Sequence, residues 1–167
     1  MKIDIKLEKA IYNLIHLEWA ISQSLIDKAT YLENTPFKDY AKWMKKRGEK
    51  EHAHALYLFE YLKKRVGKLE LNNLKKAENL YPSPFQVFQS ALKDKHEVIS
   101  STIDLYALAV ELKDTESEQV FHAFINEHIS EEKHIFDIHQ KIKLTKNTLI
   151  LTPYLKIEKR NMTEVRE

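Results

Sequence analysis

An all-α four-helix bundle is the fold this sequence predicts, and three observations predict it. Only two glycines, Gly48 and Gly67, and four prolines punctuate 167 residues, while Lys, Glu, Leu and Ala are common; such a composition favours long helices over sheet. Apolar residues recur at steps of four and three over several stretches, the pattern of helices packed at a shallow angle. One long segment, residues 67–84, divides the helical pattern into two pairs.

The first helix, A, is predicted over about 4–32, with a seam of Leu7, Ile11, Leu14, residue 18, Ile21, Leu25 and Leu32. Asn34-Thr35-Pro36 ends it, because proline forbids continuation. Helix B is predicted over about 37–66, with the seam Met44, Gly48, Glu51, Ala55, Leu58 and Leu62. Gly67 suits its end. Residues 67–84 carry Pro82 and Pro84 and are long for a loop inside a compact domain. Extended, they reach about 55–60 Å, more than the roughly 45 Å of a thirty-residue helix. This segment can therefore cross the whole bundle, so that the next helix runs parallel to B. Helix C is predicted over about 85–112, with Ser83-Pro84 as its cap. Helix D follows over about 115–144, with the seam Phe121, Phe124, His128, Glu131, Ile135, Ile138 and Ile142. In the tail, 145–167, Pro153 interrupts an apolar stretch, and Tyr154–Arg160 could form a short fifth C-terminal helix. The reading is of a single domain over 1–167 with a long B–C crossover.

Composition also excludes functions. A net charge of +2 is too small to argue for nucleic acid or an acidic membrane surface. The chain has no cysteine, which removes disulfides, zinc ribbons, iron–sulfur clusters and thiol nucleophiles. The longest apolar run, Leu105–Val110, is far short of a membrane span. The start, MKIDIKLEK, does not read as a signal peptide. A cytoplasmic protein is expected, with no nucleic-acid or membrane partner.

The chemistry lies in carboxylates at positions where a core residue belongs. Glu18 is at the middle of the A seam, Glu51 at the middle of B and Glu131 at the middle of D, with Glu97 on helix C as a fourth candidate. Two of them begin Glu-x-x-His motifs, Glu51-x-x-His54 and Glu131-x-x-His134. Residues three apart share a helix face, so each motif can offer a carboxylate and an imidazole to one site. Carboxylates do not enter a helical core unless something cationic pairs them. One Glu from each of two helices and Glu-x-x-His from each of the other two is the ligand set of di-metal carboxylate bundles, and these donors suit Fe(II) and Mn(II). Glu49-x-x-His52 shows how weak the motif is alone: it matches, yet lies off the B seam. The spacing repeats in the two halves, from Glu18 to Glu51 and from Glu97 to Glu131. His16, His96, His122 and His139 read as surface or boundary residues, Trp19, Trp43, Tyr57 and Tyr61 as packing, and Lys45-Lys46-Arg47 as a solvated face.

Taken together, these segments resemble the ferritins over nearly the whole chain. HLEW around Glu18 looks like their first-helix ligand region, and EKEHAHALYLFEYL like their helix B signature. YPSPFQVFQSALKDKHE looks like the end of the crossover and helix C with its His-Glu, here His96-Glu97, and INEHISEE like the helix D ligand segment. The resemblance implies a 24-subunit homo-oligomeric shell that stores ferric mineral. It also implies a di-iron ferroxidase centre where Fe(II) is oxidised by dioxygen or peroxide. By position, Glu18 and His54 would hold the first iron, Glu51 would bridge, and Glu97 and Glu131 would hold the second. Helix D has two readings: aligning INEH puts His128 beside Glu131 in the site, while the chain's own symmetry, as in bacterioferritins and rubrerythrins, pairs Glu131 with His134 and is slightly preferred.

The chain also departs from the family. Leu25 stands where ferritins usually carry a tyrosine, Lys50 precedes Glu51 where many have a second Glu, and Ser130 replaces an acidic residue. Haem is unsupported, because His52 stands where bacterioferritins use a methionine. Two rival functions remain at this level: a dimeric, non-storage Fe or Mn oxidase or peroxide reductase on the same bundle, and a purely structural bundle with a hydrogen-bonded polar core.

Overall fold

The computed structural model describes residues 2–74 and 80–144. Four helices account for most of them: α1 Ile5–Glu33, α2 Asp39–Val66, α3 Pro84–Glu111 and α4 Thr115–Leu144. The expected fifth helix lies outside the described residues. No helix among the described residues is long and apolar enough to cross a membrane.

Local chemistry sets the helix ends. The Asp4 side chain accepts from the Lys6 amide at 2.7 Å and caps α1. Gly67, at φ 88°, closes α2 in a conformation other residues resist. Ser83 caps α3 through the Gln86 amide, with Pro84 in the first turn. The 34–38 segment is a turn, so α2 starts two residues later than the proline pattern suggested.

The seams read from the sequence on the first, second and fourth helices are all buried. They sort into two apolar clusters. One gathers Leu7 and Ile11 from the start of α1, Leu58 and Leu62 from the end of α2, Leu105 and Ala109 from the end of α3, and Phe121 from the start of α4. The other gathers Leu25 and Leu32, Tyr40 and Met44, Val87 and Phe88, and Ile138 and Ile142. Helices α1 and α2 are therefore antiparallel, α2 and α3 parallel, and α3 and α4 antiparallel. The crossover does join opposite ends: Leu69 and Leu71 pack on the first cluster, and Tyr81 on the second. Asn72 ties it to the bundle by donating its amide to the Tyr12 hydroxyl at 3.1 Å. A polar layer lies between the two clusters.

Two contacts set the relative positions of the helices. Helices α1 and α2 approach closely at Gly48: a Cβ there would lie 2.9 Å from the Ser22 carbonyl oxygen and 3.0 Å from Ile26. Ser22 Oγ also donates to the Gly48 carbonyl at 2.7 Å. At the opposite end, the Arg65 guanidinium grips Asp114 through two bonds of 2.8 and 2.7 Å and reaches the Tyr61 hydroxyl at 2.7 Å. Asp114 in turn accepts from the Ser117 amide at 3.1 Å, capping α4. Lys113, at φ 57°, makes the tight turn that presents Asp114 to Arg65.

Two outcomes follow from these contacts. Alanine is the better helix former by about 1 kcal/mol, yet Gly48→Ala should lower stability by roughly 1–3 kcal/mol, because the added methyl meets backbone that cannot turn aside; urea unfolding checks this. The Arg65 hydrogen bonds hold the Asp114 carboxyl below its usual range, against the opposing effect of burial. A lowered carboxylate contributes stability that is present above its unfolded pKa and is lost as pH falls through the folded value. Asp114→Asn should therefore cost roughly 2–3 kcal/mol at neutral pH. Its deficit against the parent should shrink below about pH 4, as read from melting curves across pH.

Candidate metal centre

Midway along each helix the apolar seam gives way to charge. Glu18 on α1, Glu51 and His54 on α2, Lys95 on α3, and His128 and Glu131 on α4 are all buried. Each occupies a position its helix's own period turns inward, so the apolar layers on either side bury them together. Glu18, Glu51, His54 and His128 each offer one ligand atom within 4.8 Å of all the others.

The first half of the site is built around Glu18. His128 Nε2 lies 3.0 Å from Glu18 Oε1. His54 Nδ1 lies 3.4 Å from Glu51 Oε2 and 4.0 Å from Glu18 Oε2. His54 Nε2 faces outward to Glu127 at 3.3 Å, the arrangement that orients a metal-binding imidazole and leaves its other nitrogen free. Glu18 Oε2, Glu51 Oε2 and His54 Nδ1 are buried and make no hydrogen bond. Three buried ligand atoms of this kind fit a cation, because leaving them unpaired is costly. Ligand atoms about 2.0–2.2 Å from a common ion fall about 3–4 Å apart, as His54 Nδ1 does from Glu51 Oε2 and Glu18 Oε2. Burial, with neighbouring Glu51, pushes the Glu18 carboxyl up to about 7, against the hydrogen bond from His128.

The second half is built around a lysine. Lys95 Nζ donates to Glu51 Oε1, to Glu131 Oε2 at 2.8 Å and to His128 Nδ1 at 3.2 Å. Glu131 Oε1 pairs with Lys50 at 2.6 Å and Arg47 at 3.3 Å, and Lys50 also reaches Glu127 at 2.7 Å. Burial opposes charge on Glu51 and Glu131, but His54 with Lys95 for the first, and His128 with Lys95 for the second, overcome it. The Glu51 carboxyl is brought down to about 2, and that of Glu131 is lowered as well.

Of the residues singled out from sequence, the bundle brings together Glu18, Glu51, His54, His128 and Glu131. Glu97 and His134 are not among them: both are exposed. Glu97 borders an outer groove between α1 and α3 with Asn13, Ser101 and Asp104. The physical reason is helical period. The α3 seam is Val87, Ala91, Lys95, Val98, Thr102, Leu105 and Ala109, and Glu97, one residue before Val98, points well away from that line. His134 likewise immediately precedes buried Ile135, whereas His128, one turn before Glu131, shares its face. The slight preference for His134 over His128 is thus reversed in placement. Arg47, read as part of a solvated run, instead leans toward Glu131. Lys95, Lys50 and Glu127 had not been singled out as parts of the site at all. Stepping the α3 seam by threes and fours, as on the other helices, would have found Lys95; Lys50 and Glu127 lie on the flanks of their helices and carry no such signal. Glu49 and His52 are exposed, and His52 accepts from the Trp19 indole at 3.0 Å.

Comparison with known proteins agrees with this architecture. Residues 8–145 match the Ferritin-like domain family. The bacterial non-heme ferritin of Bacteroides fragilis is 28% identical over 138 residues, covering 83% of this chain and 87% of that protein. The ferritin lower subunit of Aquarana catesbeiana is 27% identical over 110 residues, covering 64% of each. The open-pore ferritin of Archaeoglobus fulgidus superposes with a TM-score of 0.86 at 22% identity, over 94% of this chain and 96% of that one. A humanized archaeal ferritin gives 0.87 at 23%, over 95% and 98%; these two structures share the fold. On the family match and the bundle together, the chain belongs to the ferritin-like family.

Proposed function

We propose that this protein is an iron-storage ferritin: it takes up Fe(II), oxidises it and keeps the ferric product inside a homo-oligomeric cage. The observation that carries the reading is the buried group Glu18, Glu51, His54 and His128, with three donor atoms left unpaired and close enough to share one cation. Carboxylate and imidazole are the donors that suit Fe(II), and Mn(II) would be accepted by the same set. The family relatives, ferritins by name, support storage over a purely structural bundle.

Iron is the substrate here, and the residues divide its handling. Glu127 and Lys50 are half-buried beside His54 and Glu131 and form the polar approach from the surface. His54, oriented by Glu127, presents Nδ1 inward, and Glu18 and Glu51 supply the negative charge that draws a divalent ion into an apolar bundle. As Fe(II) becomes Fe(III), anionic oxygens stabilise the higher charge more than the lower, so the carboxylates favour oxidation. Two Fe(II) give one electron each to dioxygen, which with two protons leaves as hydrogen peroxide. A centre holding both irons at once would draw on Glu131 for the second, and would need the Lys95 ammonium to withdraw from between Glu51 and Glu131. The proposed assembly is a shell of 24 copies, and the proposed compartment is a reducing cytoplasm, where Fe(II) is maintained.

Aerobic addition of Fe(II) to the full chain, followed by ferric absorbance and by light scattering with iron analysis, tests this reading. Glu18→Ala and Glu51→Ala should each slow the initial oxidation roughly tenfold or more, since even outer partners of a metal ligand are worth this much. Glu97→Ala and His134→Ala should stay within about twofold, as exposed side chains do. Unchanged rates in both Glu18→Ala and Glu51→Ala would remove the site assignment. A dimer that retains no mineral would favour a non-storage oxidase or peroxide reductase instead.

A further inference from the structure

The polar layer holds two places for positive charge, and they differ in what already fills them. Around Glu18, three buried donor atoms lack partners. Around Glu131, both carboxylate oxygens face cations: Oε2 meets Lys95 at 2.8 Å, and Oε1, which makes no hydrogen bond, lies 2.6 Å from Lys50. Lys95 Nζ bonds to Glu51 Oε1, Glu131 Oε2 and His128 Nδ1, from two neighbouring helices, and is itself only 2% exposed. Resting on the metal-site reading above, we infer that each subunit binds a single divalent cation, held by Glu18, Glu51, His54 and His128, and that the Lys95 ammonium stands where a second would be.

Position, geometry and charge balance each carry this inference. Lys95 is the α3 residue whose place on the seam meets the layer of Glu18, Glu51 and Glu131. A carboxylate is absent from that place, and the next candidate on the helix, Glu97, is exposed on another face. An ammonium donates hydrogen bonds and accepts none, and Lys95 directs its own at Glu51 Oε1 and Glu131 Oε2, the donors a second ion would need. The charge balance points the same way. Glu18, Glu51, Glu127 and Glu131 bring four negative charges, and Lys50, Lys95 and Arg47 bring three positive ones. With the imidazoles neutral, as metal ligation requires, one negative charge is left over. One divalent ion leaves a net of one positive charge; two would leave three in a layer closed by apolar clusters on both sides, which burial strongly disfavours. Lys95 is held on the layer by two carboxylates, so its withdrawal would leave a second ion to replace both its charge and its packing.

The proposal predicts a count. The metal-free full chain, titrated anaerobically with Co(II) and followed by visible absorption and by metal analysis after gel filtration, should bind one equivalent per subunit. Lys95→Glu, which puts a carboxylate in place of the ammonium, should bind two. Glu131→Ala should keep the single equivalent, because Glu131 is outside the proposed ligand set, and this variant decides the matter if Lys95→Glu does not fold without metal. Two equivalents in the parent, reduced to one by Glu131→Ala, would overturn the inference while leaving the iron-binding reading intact. A parent that binds no Co(II), or whose binding is indifferent to Glu18→Ala, would overturn that reading itself and the inference with it.

Discussion

The pairing of buried carboxylates with cations is the constraint on which the rest of this molecule depends. Glu18, Glu51 and Glu131 are at most 2% exposed, between two apolar clusters. An uncompensated carboxylate there would cost several kcal/mol. Lys95 answers part of this demand from α3, and Lys50 and Arg47 answer more from the flank of α2. What they do not answer is Glu18, which faces only imidazoles, and the unpaired oxygen of Glu51 beside it. The proposed affinity for a metal ion rests on that residual demand. A related solution appears one layer away, where Lys28 is fully buried and meets Asp94 at 2.6 Å.

The apolar clusters make this charged layer sustainable. Each joins residues from all four helices, so the helices are clamped above and below the site and cannot spread to admit water freely. Gly48 sets how close α1 and α2 come, one turn from Glu51, and thereby the distance between Glu18 and Glu51. The Arg65–Asp114 pair fixes the other end, joining the last turn of α2 to the first of α4. Function here depends on rigidity, because donors placed to leave three atoms unpaired keep that unfavourable arrangement only if their backbones cannot relax.

Much of this was legible in the residues. The A, B and D seams, spaced by threes and fours, identify the buried faces, and a carboxylate on such a face stands out because its burial is costly. The length of the 67–84 segment correctly implies parallel α2 and α3, since its extended reach exceeds the length of the helices it must pass. Glu97 and His134 fall outside the buried group for one reason. Motif and internal symmetry point to them, the seam of their own helix does not, and a shift of one or two residues turns a helical side chain by one hundred degrees or more. Lys95 on the α3 seam carries the same signal as a seam carboxylate, because burial costs either charge.

By itself the sequence determined the class of fold, the four helices and the acidic, histidine-bearing level at their centre, because helical period and the cost of burying charge are local properties of the chain. Which cation meets which carboxylate was decided only by the tertiary structure. Lys95 is separated from Glu51 and Glu131 by dozens of residues and carries no pattern that names its partners. Only when α2, α3 and α4 are packed at one depth does its ammonium fall between them and leave the remaining donors gathered around Glu18.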